Sequence, residues 1–163
     1  MKPSKSGLPE PLVNEEPEEG GGAIDGVCET VPDGKYELRY MYYETANYFG
    51  YAKVIVHFAI DASDQYAGVE VCRFYNAKKL TGPCKKYGNY VASRCGDLAR
   101  EYKQLVAEPE RMGRISFQIL KDKRVLGRLE RVTSGYHRKP LALDDHYSRV
   151  AELLRIIPDD FGP

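Results

Sequence analysis

The strictest alternation of apolar and polar side chains lies in residues 51–60, and it constrains the fold more than any other feature. Every second residue of this stretch is apolar, whereas Tyr51, Lys53 and His57 share the opposite parity. Successive strand residues point to opposite faces of a sheet, so this period of two predicts a long strand with one buried face. The predicted core positions are Ala52, Val54, Val56, Phe58 and Ile60.

Two further alternations flank this strand and predict an antiparallel meander. Residues 35–42 give a first strand with four large side chains on one face. A turn cluster at 61–65 separates the central strand from a third strand at 68–75. Short polar connections of this kind are typical of strands that run antiparallel. The predicted inward set of the first strand is Tyr36, Leu38, Tyr40 and Tyr42.

The hydrophobic period changes to a helical one at residues 97–107. Apolar residues recur there at helical spacing, Asp97 is the predicted N-terminal cap, and Pro109 ends the pattern. Strands are predicted at 114–120 and 125–133. The segment 147–157 fits either a helix or a closing strand; we predict the strand, because the open edge of a meander needs cover.

The element order is therefore three strands, one helix and then two or three strands. This βββαββ(β) order predicts a mainly β protein, an OB-fold-like barrel with one helix, over residues 31–157. Residues 1–30, which include four prolines, a glutamate cluster and three consecutive glycines, are predicted to be a disordered acidic tail. Residues 158–163 form a short acidic C-terminal tip.

The charge balance divides the chain. The formal net charge is zero, but residues 1–33 carry two Lys against eight acidic residues. Residues 71–140 carry 17 Lys or Arg against 6 Asp or Glu. A basic body with an acidic tail suits the binding of a polyanion, although a β protein with cations on its outer faces gives the same pattern.

No motif predicts catalysis, a metal site or a cofactor. The glycine and histidine signatures of hydrolases, metalloproteases and nucleotide-binding enzymes are missing, so we expect a protein that is not an enzyme. No apolar run approaches the roughly 20 residues of a membrane span, and no secretory leader precedes the acidic tail. We expect a cytoplasmic chain with reduced cysteines and no metal ligands.

Tyrosines and cations alternate in the basic part of the chain. Single-stranded nucleic-acid binders need cations to follow phosphates and aromatic faces on which bases stack. In an OB-fold these groups lie on the second and third strands, with loops 78–90 and 134–140 as rims. The predicted nucleic-acid-binding residues are Tyr51, Lys53, Arg73, Tyr75, Lys78, Lys79, Lys85, Lys86, Tyr87, Arg138 and Lys139.

Four segments carry a resemblance to a group of known proteins. They begin at Val31, Phe49, Phe74 and Asp97. With them, residues 31 to about 157 resemble small uncharacterised proteins of bacteriophages and integrated mobile elements, some of which are OB-fold single-stranded DNA-binding proteins. The resemblance implies a single-stranded DNA-binding accessory protein of such an element.

The C-terminal tip adds a possible partner site. Asp159, Asp160 and Phe161 resemble the acidic tip with which bacterial single-stranded DNA-binding proteins recruit replication or recombination proteins. Those tips end on the phenylalanine, whereas Gly162 and Pro163 follow it here. The alternative function is a small β-barrel interaction module, an inhibitor or an assembly subunit, whose basic face meets an acidic protein.

Overall fold

The computed structural model describes residues 30–62, 64–106, 114–135 and 138–158. The predicted acidic tail and the residues of the C-terminal tip after Pro158 thus lie outside the described residues. Within these ranges the chain forms seven strands and one α-helix, α1, at Asp97–Leu105. The strands are β1 (Gly34–Tyr48), β2 (Tyr51–Ile60), β3 (Glu70–Asn76), β4 (Lys79–Leu80), β5 (Tyr90–Val91), β6 (Arg124–Val132) and β7 (Tyr147–Ile157).

Five long strands form one antiparallel sheet, so the prediction of a mainly β protein with one helix is confirmed. Their order is β3-β2-β1-β6-β7, and β4 pairs separately with β5. Cα atoms of β3 and β7, the two outer strands, come within 8 Å of each other, and α1 packs against both. The preference for a strand at 147–157 is confirmed, since β7 pairs along its length with β6.

A β-bulge at Met41 divides β1 into two halves. The pairing of β1 with β2 shifts between Tyr40 and Tyr42, so one extra residue is inserted in β1. An insertion of one residue inverts the side-chain parity of everything after it. Tyr40 still packs inside against Phe58, but Tyr42 lies on the outer face. The prediction that Tyr42 shares the inward face of β1 is therefore wrong.

The inner face of β2 supplies the centre of the core. Val54, Val56 and Phe58 are fully buried, as the alternation predicted. Around them pack apolar residues of the other long strands, of α1 and of the 3-10 helix Phe117–Leu120. At about 25 cal/mol per Å² of apolar area, burial of these side chains is the main term that stabilises the sheet.

Three local predictions need correction. Asp97 is the first residue of α1, whose N-cap is Gly96, and its carboxylate accepts a hydrogen bond from Arg100. Residues 114–120 form no strand: Ser116 Oγ accepts from the backbone of Gln118 and starts a 3-10 helix. The predicted loop 78–90 contains β4 and the first residue of β5.

Candidate nucleic-acid interface

The tip of the β1–β2 hairpin carries three exposed aromatic rings. Tyr48 and Tyr51 close the hairpin, and Phe49 and Gly50 form its two-residue turn with φ of 53° and 83°. Phe49 is 78% exposed, Tyr51 68% and Tyr48 46%. A bulky residue at positive φ is rare, and two-residue turns prefer Asn or Gly at such positions. We call Tyr48, Phe49 and Tyr51 the hairpin tip.

The outer face of β1–β3 continues from the hairpin tip in cross-strand rows. The Tyr42 ring stacks on the His57 ring, with centroids 4.2 Å apart and planes 15° from parallel. His57 Nε2 lies 2.6 Å from a carboxylate oxygen of Glu44, so the imidazole is held in place. The rows from β1 through β2 to β3 are Tyr42–His57–Cys72, Glu44–Ile55–Phe74 and Ala46–Lys53–Asn76.

Cys72, His57 and Glu44 follow one another in hydrogen-bonding order, which invites comparison with a cysteine nucleophile. Cys72 Sγ lies 3.2 Å from His57 Nδ1, on the opposite side of the ring from Glu44. However, burial, with the charges of Glu44 and Glu70, raises the pKa of Cys72 to about 11. A catalytic cysteine needs a lowered pKa, because the thiolate is the nucleophile. The arrangement therefore fixes the His57 ring rather than activating the thiol.

The segment Lys85–Tyr87 runs along the free edge of the second half of β1. Thr45 donates its backbone N–H to Lys85, and Tyr87 donates to Tyr43, both over 3.0 Å. Lys86 Nζ then lies 4.5 Å from the centroid of the Tyr42 ring, a cation–π contact on the outer face. Gly88 makes this approach possible, since a Cβ there would lie 2.2 Å from Thr45 Oγ1.

The remaining predicted lysines of this region cluster near the hairpin tip. Lys53 bonds to Asn76 across the β2–β3 ladder. Lys78 and Lys79 follow directly, where the Ala77 backbone N–H donates to Ala52. Residues 45–60 and 71–96 contain seven Lys or Arg and no Asp or Glu. The described structure thus brings these lysines, Lys85 and Lys86 to one end of the outer face.

Arg73 and Tyr75 do not belong to this surface, and the expectation that Tyr75 is exposed is wrong. Tyr75 is 2% exposed, shares the inward parity of Val71, and lies beneath α1. Its hydroxyl donates to Glu101 Oε1 over 2.6 Å. Arg73 forms an ion pair with the same fully buried carboxylate. Burial, together with Glu101, raises the pKa of Tyr75. We call Arg73, Tyr75 and Glu101 the Glu101 cluster.

Arg138 and Lys139 lie far from the hairpin tip. Their loop follows β6, and Leu129 near the end of β6 pairs with Gly34, the first residue of β1. The hairpin tip lies at the other end, where Tyr48, the last residue of β1, pairs with Tyr51. The Arg138 and Lys139 side chains are exposed, and Lys139 accepts a backbone hydrogen bond from Gly135. The loops 78–90 and 134–140 therefore stand at opposite ends of the face. Asp159, Asp160 and Phe161 lie outside the described residues.

Sequence reasoning missed several residues of this surface. Tyr42 was assigned to the wrong face because nothing in the local pattern marks the bulge at Met41. Tyr48 and Phe49 had a usable signal: a Phe-Gly pair between two predicted strands, flanked by tyrosines, places rings at a hairpin turn. His57 and Phe74 share the outward parity of Lys53 across β2 and β3.

Comparison with known proteins gives no relative. No protein-family model, curated protein or solved structure matches the chain. Among the described residues, no helix is long and apolar enough to cross a membrane. In the same ranges, no three His, Cys, Asp or Glu side chains are grouped to hold a metal ion. The candidate interface must be interpreted from its own chemistry.

Proposed function

We propose that the protein binds single-stranded DNA through the outer face of β1–β3 and the hairpin tip. One observation carries this proposal: three exposed aromatic rings stand at the same end of the face as five lysines, Lys53, Lys78, Lys79, Lys85 and Lys86, while the Glu44 carboxylate on that face is bonded to His57. Bases stack on aromatic side chains, and lysines attract the phosphates between the bases. Arg138 and Lys139 follow β6 at the opposite end of β1 and are not part of the proposed face.

A single strand suits this surface better than a duplex. Stacking on Phe49 or Tyr51 requires a base whose ring faces are free, and in a duplex neighbouring base pairs cover those faces. Helix α1 is also unsuited to the major groove, because it packs against β3 and β7 rather than standing free. The favoured ligand is therefore an unpaired strand.

We also propose that the sheet is an OB-type barrel. Its support is the order β3-β2-β1-β6-β7, with α1 between the third strand and the last two long strands and with β3 close to β7. β1 pairs with β6 over residues 34–39 and with β2 over residues 38–48, and the bulge at Met41 bends it just beyond the shared stretch, as a strongly bent barrel strand requires. OB-folds bind ligands on the second and third strands, where the proposed face lies.

The biological setting remains the one implied by the resemblance of the sequence. We propose an accessory protein of a phage or integrated mobile element, with the acidic tip at 159–161 as a recruitment site for replication or recombination proteins. The face itself requires neither, and its test is independent of both.

Removal of aromatic rings from the hairpin tip tests the proposal. Tyr51→Ala should weaken binding of a fluorescent single-stranded oligonucleotide by about 5- to 150-fold, the range of roughly 1–3 kcal/mol per stacked base. Phe49→Asn removes the other ring with a residue that suits positive φ, so the turn is kept. Leu143→Ala is the matched control, since Leu143 is 75% exposed and lies outside residues 45–60 and 71–96.

Anisotropy titrations against single-stranded DNA, double-stranded DNA and RNA at two salt concentrations give the readout. We expect the tightest binding to single-stranded DNA, weakened in both tip variants and unchanged in Leu143→Ala. Equal binding of all oligonucleotides by wild type and tip variants would contradict the proposal. If no oligonucleotide binds, the exposed rings favour the alternative, an interaction module for an acidic protein.

A further inference from the structure

A second concave site lies on the other side of the segment Lys85–Tyr87. It is a cleft of about 870 Å³ between β1, residues 87–94, α1 and the 3-10 helix Phe117–Leu120. The Lys86 ammonium contacts the Tyr42 ring on the outer face and also the Tyr87 ring, which is one of the rings at the cleft, so this segment stands between the two sites. The predicted nucleic-acid-binding residues other than Tyr87 do not line it.

The walls of the cleft are aromatic. The Tyr43 ring lies 5.1 Å from that of Phe117 and 5.8 Å from that of Tyr90, measured between centroids. Tyr43 is fixed by its hydroxyl, which donates to the Gly88 carbonyl over 2.9 Å. Burial raises the pKa of Tyr40 to about 12, so this phenol stays neutral. The rings that line the cleft are Tyr40, Tyr43, Tyr87, Tyr90, Tyr102 and Phe117.

The mouth of the cleft is cationic. Arg94, Lys103 and Arg114 line it, and all three are exposed. In the described part of the chain none of these three cations forms an ion pair, and no Asp or Glu lines the cleft. The remaining polar groups include the amides of Asn89 and Gln118. Amides both donate and accept hydrogen bonds, which is what the edge of a heteroaromatic ring requires.

We propose that this cleft binds a mononucleotide, with its base among the tyrosines and its phosphate at the cationic mouth. The volume falls in the range of small-molecule sites, roughly 300–1,000 Å³. Aromatic walls favour a planar ring, the three exposed cations favour a phosphate, and the amides can bond to a base edge. The inference does not rest on the strand-binding face, because Tyr87 is the one predicted strand-binding residue among the residues that line the cleft.

The test titrates the ¹⁵N-labelled full chain with AMP and follows amide shifts by NMR. Shifts should concentrate at residues that line the cleft, such as Asn89, Tyr102 and Ser116. Adenosine and inorganic phosphate, as separate arms, should each bind about tenfold or more weakly than AMP, since each makes only half of the contacts. An acidic peptide with a phenylalanine is the competing ligand.

The double variant Lys103→Gln/Arg114→Gln should weaken AMP binding by about tenfold or more, because it removes two charge-assisted contacts to the phosphate. The melting temperature of the variant should equal that of the wild type, because both side chains are exposed. Lys123→Gln, an exposed cation outside the cleft, is the control and should not change AMP binding. Tyr51→Ala should keep AMP binding even where it loses single-stranded DNA, which separates failure of one site from failure of the other.

Three results would overturn the inference. The first is an absence of amide shifts at millimolar AMP. The second is an AMP affinity that is the same in the double variant as in wild type. The third is binding of the acidic peptide in place of AMP.

Discussion

The hairpin tip and the Glu101 cluster use the same kinds of residue in opposite environments. In each region a tyrosine lies two residues from a cation on the same strand: Tyr75 and Arg73 on β3, and Tyr51 and Lys53 on β2. In the Glu101 cluster, Tyr75 and Arg73 face inward and share one buried carboxylate under α1. At the hairpin tip, Tyr51 is exposed, and Lys53, two residues further along β2, bonds to the neutral amide of Asn76. Parity within the strand, not residue type, decides whether a tyrosine is structural or available to a ligand.

The largest effect should come from the carboxylate of the Glu101 cluster. Glu101→Ala removes the closest carboxylate from the Arg73 guanidinium, leaving Asp97 at 3.9 Å, and removes the acceptor of Tyr75. We expect the free energy of unfolding to fall by about 3–5 kcal/mol, measured by urea denaturation. Glu130→Ala removes a half-exposed ion pair with Arg149 and should cost about 0–1 kcal/mol. Similar losses in the two variants would show that the Glu101 cluster does not support the fold.

Removal of one hydroxyl oxygen compares the two tyrosines directly. Tyr75→Phe deletes the hydrogen bond to Glu101 in the core, so stability should fall by about 1–3 kcal/mol. Tyr51→Phe changes an exposed side chain and should alter stability by less than about 0.5 kcal/mol, with its ring still able to stack. Thermal unfolding and a DNA titration of both variants provide the check. A stable Tyr75→Phe with weakened DNA binding would reverse the assignment of the two residues.

The smallest effect concerns the salt dependence of binding. If Lys86 contacts a phosphate, Lys86→Gln should reduce the slope of log affinity against log salt concentration by about 0.7–1. Lys123 lies outside residues 45–60 and 71–96, so Lys123→Gln should leave the slope unchanged. Titrations at four salt concentrations measure it. Identical slopes for wild type and Lys86→Gln would place Lys86 off the phosphate path.

Local periodicity predicted the parts of the fold that depend on neighbouring residues. The alternation in β2 identified Val54, Val56 and Phe58 because a half-buried strand repeats every two residues. It failed at Met41, since a bulge is imposed by the partner strands and leaves no local mark. It also failed for Tyr75, which shares the inward parity of Val71, because the acceptor that satisfies its buried hydroxyl, Glu101, comes 26 positions later on α1. The cleft lay beyond sequence reasoning for the same reason: its walls come from distant segments.

The bulge at Met41 gives this stretch of β1 an unusual tolerance to mutation. A substitution at Met41, which is 41% exposed, changes one side chain at the surface. A deletion of the same residue would join Tyr40 directly to Tyr42 and restore the regular ladder, with Tyr42 still opposite His57. Tyr42 and Glu44 would keep the outer face and Tyr43 and Thr45 the inner one, but the local bend that the bulge gives to β1 would be lost. Homologous chains should therefore vary freely in the identity of this residue, and a chain that lacks it should keep both faces of β1 on a straighter strand.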